Sequence, residues 1–481
     1  MNSLKFLNEK IILFLVIIAH ILFINNYPVS AEYSFIDFAK YFEEYDESLL
    51  NNFINIQANT IIFSFLIYLF KNIFFIENYQ IAGRLLSVIS YFFLYFGVIN
   101  FSNFFKKSFK LILLLLFLNP IIWIYGFKTT SDLLPTSIGF FAISLLLIKN
   151  NNIQITILSS FLTSLAAVLK PMFLILIFFG CCTLFIMNKK RIFRNNIFYI
   201  FLYTSFPILI FFLYSCWAYF NLGFILSPHV NVNDKQFDYN PFHVISIFFY
   251  YFGLLSLFLI PVIIIYFKDF LRIKKLSIIF LLFIFFYLGY SNNFFPGELD
   301  LGRFFNFDKN ILKGLYFISA FLLFYFFFIN FKNIANSFKK IYIIYLLTIF
   351  LYIFILSFFR PAQRYLMLLI PISYVLFFFT KKSINLGIVY LSATLCLFIC
   401  LTLTTHSYLR SQLAGQVMSF LTKKSIILNT DPGPIVDSYN FHRYSQVKKT
   451  FKITNVKPDR YLKDFTSKLL LFKISYYLIK I

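Results

Sequence analysis

The chain has 481 residues, of which 60% are hydrophobic and only 13% are charged. A soluble domain could not bury that much apolar surface, and repeated apolar runs of about 15–24 residues are typical of membrane helices. The composition therefore excludes a soluble globular protein and predicts an all-α polytopic membrane protein.

The formal net charge of +24 raises the possibility of a nucleic-acid partner. In a membrane protein the same excess arises because Lys and Arg collect in the cytoplasmic loops, so we expect no nucleic-acid partner. The five cysteines all lie in apolar runs, without CxxC or His-paired spacing. They therefore predict no metal site.

The N-terminus fits either a retained first helix or a cleaved signal peptide. Lys5 and Lys10 precede the apolar run 11–24, and residues 29–31 resemble a signal-peptidase site. In both cases residue 32 lies on the outer side of the membrane.

Thirteen spans are predicted, in chain order, at about 11–27, 84–104, 111–127, 133–148, 155–169, 171–187, 197–220, 244–267, 276–290, 312–331, 341–358, 365–379 and 384–405. The apolar run at about 59–76 is not counted, because Lys71 and Asn72 interrupt it. We expect a juxtamembrane or re-entrant helix there, within an outer loop at 28–83.

The distribution of charge supports this topology. The predicted inner loops hold 19 Lys and Arg but two acids, whereas the outer segments before residue 406 hold 11 Lys and Arg and 13 acids. This asymmetry is the one expected when basic residues mark the cytoplasmic side. We expect a transmembrane domain at 1–405 and an extracytoplasmic C-terminal region at 406–481, with a strand-like segment at 425–430.

An acidic segment, 31–48, follows the first span. Most of its carboxylates suit a solvated helix face. Asp37 and Tyr41 are four residues apart and share a face with aromatic neighbours. An acid on a membrane-proximal, partly apolar face can have a raised pKa and handle protons, so Asp37 is a candidate base.

A second acid, Asp132, lies in the polar stretch "GFKTTSD" between the third and fourth spans. It could cap the helix that begins at Leu133, with Pro135 in the first turn. It could also be a second carboxylate of an outer-face site, and the two roles do not exclude each other.

Basic residues occur at two outer turns. Arg360 and Arg364 flank a proline at the mouth of one span, and Lys170 interrupts an apolar hairpin. Snorkelling explains a single basic residue next to a span. Paired arginines are better explained as a phosphate clamp, because guanidinium binds phosphate through two donors. With carboxylates nearby, these groups suit transfer from a lipid-linked phosphate donor.

Several segments occur in a familiar order. They are the acid after span 1, the uncounted apolar segment, "GRLLSVISYFFLYFGVI" (83–99), "NPIIWIYGFKTTSDLLPT" (119–136), "AAVLKPMFLILI" (166–177) and "QRYLMLLIPISY" (363–374). The chain thereby resembles the GT-C superfamily of polyprenyl-phosphate-dependent glycosyltransferases. It is most similar to the protein O-mannosyltransferase and lipid A aminoarabinose transferase groups.

The resemblance implies roles for individual residues. Asp37, with Tyr41, matches the acid of the first outer loop, and Asp132 matches the acid of the second. Lys170 and Arg364 match positions that face the donor phosphate, and Arg84 begins the second span where the family often has Arg.

Two features depart from the family pattern. The first acid is usually followed by Glu, whereas Phe38 follows Asp37 and the Asp-Glu pair occurs at Asp46. Asp37 and Asp46 therefore both remain candidates, with spacing in favour of Asp37. The HPDE-type motif of glycolipid-anchor mannosyltransferases is absent from the sequence.

We therefore predict a multi-pass bacterial inner-membrane glycosyltransferase whose site faces the exterior. Its donor would be a polyprenyl-phosphate sugar, and its acceptor a lipid, a glycan or a protein. No cofactor is evident, and a divalent metal at the outer acids is left open. The alternatives are an O-antigen ligase or polymerase, with His229 and His243 as its candidates, and a lipid or polysaccharide transporter.

Overall fold

The computed structural model describes most of the predicted helical region and part of the C-terminal region. The described residues are 9–26, 32–46, 60–106, 110–148, 152–187, 193–223, 225, 241–265, 319–323, 327, 336–358, 363–380, 386–424, 451–454, 461, 463–469 and 472–480. The predicted span at 276–290, the segment 425–430, Arg360 and His229 lie outside them.

Two short helices follow the first helix, α1 (Glu9–Ile21). Helix α2 (Glu32–Glu44) packs against α3 (Ile62–Ile73), and the rings of Phe35 and Phe63 meet edge to face at 5.3 Å. The 12 residues of α3 reach about 18 Å, less than the roughly 30 Å of a bilayer core. Helix α3 corresponds to the predicted juxtamembrane helix, whose position at the interface stays a prediction.

Helix α4 (Tyr79–Phe105) has 27 residues and is long and apolar enough to cross a membrane. Asn78 is its N-cap residue, and the side chain of Asn78 accepts a hydrogen bond from the backbone N–H of Gln80 at 2.9 Å. It ends at Lys106 in the left-handed conformation. Its start therefore carries an ordinary side-chain cap.

The predicted single span at 111–127 is two helices, α5 (Lys110–Phe117) and α6 (Pro120–Gly126). Pro120 cannot donate a backbone hydrogen bond, so it stands at the first position of a new helix. The side chain of Asn119 caps that helix through the backbone N–H of Ile121 at 3.2 Å. The predicted span is therefore interrupted at Leu118 and Asn119.

The helices after α6 are, in chain order, α7 (Leu133–Leu145), α8 (Ile153–Leu169), α9 (Ile175–Met187), α10 (Phe193–Leu222), α11 (Pro241–Phe258), α12 (Ile260–Ile265), α13 (Asn336–Leu356), α14 (Leu369–Thr380) and α15 (Leu386–Lys424). Short 3-10 turns precede α9 at Pro171–Leu174 and α14 at Gln363–Leu368. The predicted spans at 171–187, 244–267 and 365–379 are therefore interrupted as well.

Among the described residues, four helical segments are long and apolar enough to cross a membrane by length and composition. They are Tyr79–Phe105, Asn196–Leu222, Lys339–Leu356 and Leu386–Val417. Shorter apolar helices, such as α7 and α8, accompany them. The prediction of a polytopic helical membrane protein is confirmed, while the number of thirteen spans stays a prediction.

Helix α4 packs against α7, α7 against α8, and α8 against α10. Hydroxyl groups join them, as where Ser159 donates to the backbone carbonyl of Ala142 at 2.7 Å. Interhelical hydrogen bonds of this kind help membrane helices associate. Helix α10 exposes a row of large apolar side chains, including Phe201 and Phe220, as expected of a surface that faces lipid.

The C-terminal region contains a sheet, which corrects the all-α prediction. Three antiparallel strands, β1 (Phe451–Thr454), β2 (Lys463–Leu469) and β3 (Phe472–Lys480), lie in the order β1-β3-β2. Phe465 of β2 is buried, and its ring contacts Phe420 of α15 edge to face at 5.4 Å. Because α15 continues to Lys424, the predicted boundary at 405 lies inside a helix.

Candidate functional site

The polar turn at 127–132 joins α6 to α7, and its final residue, Asp132, is in the N-cap position of α7. The side chain of Asp132 makes no capping hydrogen bond. It forms an ion pair with Lys170 instead. The capping role that the sequence allowed is therefore not observed, and the carboxylate pairs instead with Lys170 at the end of the next helix along the chain.

Lys170 directly follows α8, in extended backbone conformation before Pro171. Its side chain is 2% exposed and that of Asp132 is 6% exposed. Removing one member of a buried ion pair leaves an uncompensated charge, so each side chain depends on the other. The structure thus brings together two residues that are 38 positions apart.

Arg364 and Tyr365 complete the cluster. The ammonium of Lys170 lies 5.2 Å from the centre of the Tyr365 ring, and the guanidinium carbon of Arg364 lies 5.8 Å from it. These distances suit cation–π contact on an aromatic platform. The hydroxyl of Tyr352 donates to the backbone carbonyl of Tyr365 at 3.0 Å. The platform is therefore held by the neighbouring helix α13.

Electrostatics keep Asp132 charged. Burial by itself would raise its pKa, but the charges of Lys170 and Arg364, together with the hydrogen bond from Lys170, bring the pKa below its ordinary value. The cluster therefore contains one carboxylate and two cations, and it carries a net positive charge.

The structure places Asp37 on α2, where its side chain is 1% exposed and lies 3.7 Å from the ammonium of Lys40. Tyr41 is half-buried and its ring stacks on Phe38 at 5.3 Å. Asp46 is exposed beyond the end of α2. Of the two candidate acids, Asp37 has the partly apolar setting that the sequence predicted for a proton-handling group.

Arg84 lies apart from the phosphate-binding candidates, in a second buried ion pair. Its guanidinium donates to the carboxylate of Glu32 at 3.3 Å and to the backbone carbonyl of Ile24 at 2.8 Å. Sequence reasoning did not single out Glu32. The signal was an acid soon after one predicted span and an arginine at the start of the next, both in places where an unpaired charge is costly.

A further ionic contact, also not singled out from the sequence, joins α2, α3 and the start of α4. Glu43 accepts hydrogen bonds from Lys71, at 3.1 Å, and from the hydroxyl of Tyr79. The Tyr79 hydrogen bond and then Lys71 hold the pKa of Glu43 below its usual value. Glu43 is exposed, so this contact ties the surface of the first outer loop together and adds little stability.

Within the described ranges, no group of three or more His, Cys, Asp or Glu side chains could hold a metal ion.

Comparison with known proteins gave two structural matches. The chain is similar to ArnT from Cupriavidus metallidurans bound to undecaprenyl phosphate, with 11% identity over 97% of both chains and a TM-score of 0.46. The apo state of the same protein matches with 12% identity, 96% of this chain, 97% of the other and a TM-score of 0.43. No protein-family profile and no curated protein sequence matches the chain.

The predicted resemblance agrees with this likeness to ArnT. Because the identities and the TM-scores are low, we base the functional proposals on the residues of the chain itself.

Proposed function

We propose that the chain is an integral membrane glycosyltransferase that moves a sugar from a polyprenyl-phosphate donor to a lipid, glycan or protein acceptor. The cluster of Asp132, Lys170 and Arg364, in which Asp132 and Lys170 are buried, is the observation that carries the proposal. Its net positive charge suits a phosphate, since ammonium and guanidinium groups bind phosphate through charge-assisted hydrogen bonds. A site in the bacterial inner membrane, open to the exterior, would meet such a lipid.

The ion pair suggests how the donor is received. The ammonium of Lys170 is held by Asp132 in the structure. A phosphate placed beside Lys170 and Arg364 would compete with this carboxylate for the same ammonium. Lys170 would then turn from Asp132 to the phosphate, and the charge of the phosphate would replace that of the carboxylate. Asp132 thus keeps Lys170 in place before the donor binds.

The proposed transfer is a single displacement. A hydroxyl or amine of the acceptor attacks the anomeric carbon, a new bond forms there, and the bond from that carbon to the phosphate oxygen breaks. The polyprenyl phosphate leaves as an anion that Lys170 and Arg364 stabilise. Asp37 accepts the proton of the acceptor group. One displacement of this kind inverts the anomeric configuration.

Sugar transfer to endogenous acceptor, measured in membranes, tests this assignment. We expect Asp37→Asn to lower the rate by about 10²–10⁴-fold, the usual effect of losing a general base, and Asp132→Asn also to lower it. Asp46→Asn is the matched control, because this acid is exposed, and it should retain activity. Full activity of both Asp37→Asn and Asp132→Asn at normal expression would contradict the proposal.

A further inference from the structure

The ion pair between Glu32 and Arg84 joins three helices. Glu32 is the first residue of α2, and its side chain is 2% exposed. Arg84 lies in the second turn of α4 and also donates to the backbone carbonyl of Ile24, just beyond α1. A buried pair with added hydrogen bonds to backbone groups has its charges well compensated. It fixes the start of α2 against α1 and α4.

Glu32 also binds the turn that carries Asp132. Its Oε1 atom accepts a hydrogen bond from the backbone N–H of Thr129 at 2.8 Å. On the same turn, the backbone carbonyl of Lys128 accepts a hydrogen bond from the hydroxyl of Ser87 at 2.6 Å. The turn is therefore held by a residue of α2 and a residue of α4.

The fit between this turn and α4 is close. A Cβ atom added at Gly83 would lie 2.2 Å from the Cγ2 atom of Thr129. Only glycine lets the turn approach the helix at this position. Three residues after Thr129, the chain reaches Asp132 and its ion pair with Lys170.

We propose that Glu32 is a positioning residue, which holds the turn at 127–132 so that Asp132 faces Lys170. This inference rests on the proposed function, in which Lys170 binds the donor phosphate. A charged acceptor is needed, since hydrogen bonds to a carboxylate are shorter and stronger than those to a neutral amide. Glutamine at this position would still accept from Thr129 but would no longer neutralise Arg84.

Glu32→Gln in the full-length purified protein tests the proposal with two readouts. Hydrogen exchange of the peptide covering 127–132 should become faster, because the amide of Thr129 loses a charged acceptor. Binding of undecaprenyl phosphate should tighten, because a less firmly held turn lets Asp132 leave Lys170, and the carboxylate then competes less with the phosphate for this ammonium. Ser87→Ala should change both in the same direction but less, and it serves as a second variant if Glu32→Gln folds poorly.

Gly97→Ala is the matched control. A Cβ atom there would lie 2.6 Å from the ring of Phe140, so it disturbs the packing of the same helix away from the turn. It should lower the unfolding temperature while leaving the exchange at 127–132 and the affinity of the folded protein unchanged. Equal changes of both readouts in Glu32→Gln and Gly97→Ala would show general loosening and overturn the proposal.

The Lys170→Met variant distinguishes failure of the proposed donor site from failure of the positioning role of Glu32. If Lys170→Met keeps wild-type affinity for undecaprenyl phosphate, the proposed function fails, and exchange at 127–132 alone then decides whether Glu32 positions the turn. If Lys170→Met binds weakly while Glu32→Gln exchanges and binds like the wild type, the positioning role is wrong and the donor site stands.

Discussion

At the scale of single residues, the buried charges are the informative features. Asp132 pairs with Lys170, and Glu32 pairs with Arg84. Ionisable groups near or within a membrane are costly and are kept where they pair or perform a function. The sequence could single out Asp132 and Lys170 as outer-face charges. It could not show that they form a pair, because that contact depends on how α7 packs against α8.

The Asp132 pair predicts a dependence of stability on pH. Because the pKa of Asp132 is below its ordinary value, its contribution is present above the unfolded pKa of about 3.9 and is lost as the pH falls through the folded value. At pH 7, Asp132→Asn should be less stable by about 3–5 kcal/mol, the usual cost of breaking a buried pair.

Unfolding of the wild type and of Asp132→Asn in detergent, followed from pH 7 to pH 3, measures this effect. The difference between the two proteins should shrink below about pH 4, because the unfolded wild-type carboxyl takes up a proton there more readily than the folded one. A difference that stays constant over the whole range would contradict the ionised pair.

At the scale of secondary-structure elements, the breaks between helices are placed by local chemistry. The side chain of Asn119 caps α6, and its Nδ2 atom donates to the backbone carbonyl of Phe258 at 2.7 Å. Hydropathy predicted one span at 111–127 because every residue near the break is apolar except Asn119. The Asn-Pro pair was visible in the sequence, whereas its partner on α11 depended on tertiary packing.

The break predicts unequal effects of two asparagine substitutions. Asn119→Ala should cost about 2–4 kcal/mol, since it removes a helix cap and leaves a buried carbonyl without this donor. Asn152→Ala, the control, removes an exposed cap of α8 and should cost about 1 kcal/mol. Denaturant unfolding of the two purified variants measures both values, and equal values would contradict the role of the cross-helix contact.

At the scale of the whole molecule, composition and charge established the class of protein but not its detailed architecture. Apolar runs predicted a polytopic membrane protein, and the structure has four helical segments of spanning length among its described residues. The sheet at 451–480, which packs against α15, was not predicted, because its short strands show only a weak alternating pattern in the sequence. The order of motifs predicted the likeness to ArnT.

The predicted topology can be tested with reporter fusions. Alkaline phosphatase fused after Asn78 should be active, because the charge distribution puts this residue outside. The same reporter fused after Lys110 should be inactive, because that basic segment is predicted to lie inside. The opposite pattern would place the Asp132 cluster at the cytoplasmic face and contradict an exterior site.

Binding of undecaprenyl phosphate to the purified protein tests the central claim most directly. Lys170→Met should bind at least about tenfold more weakly than the wild type, since it removes a charge-assisted hydrogen bond to the phosphate. Asp132→Asn, measured well below its unfolding temperature, should bind more tightly, because the carboxylate no longer competes for Lys170. Wild-type affinity in Lys170→Met, or weaker binding in folded Asp132→Asn, would contradict the account.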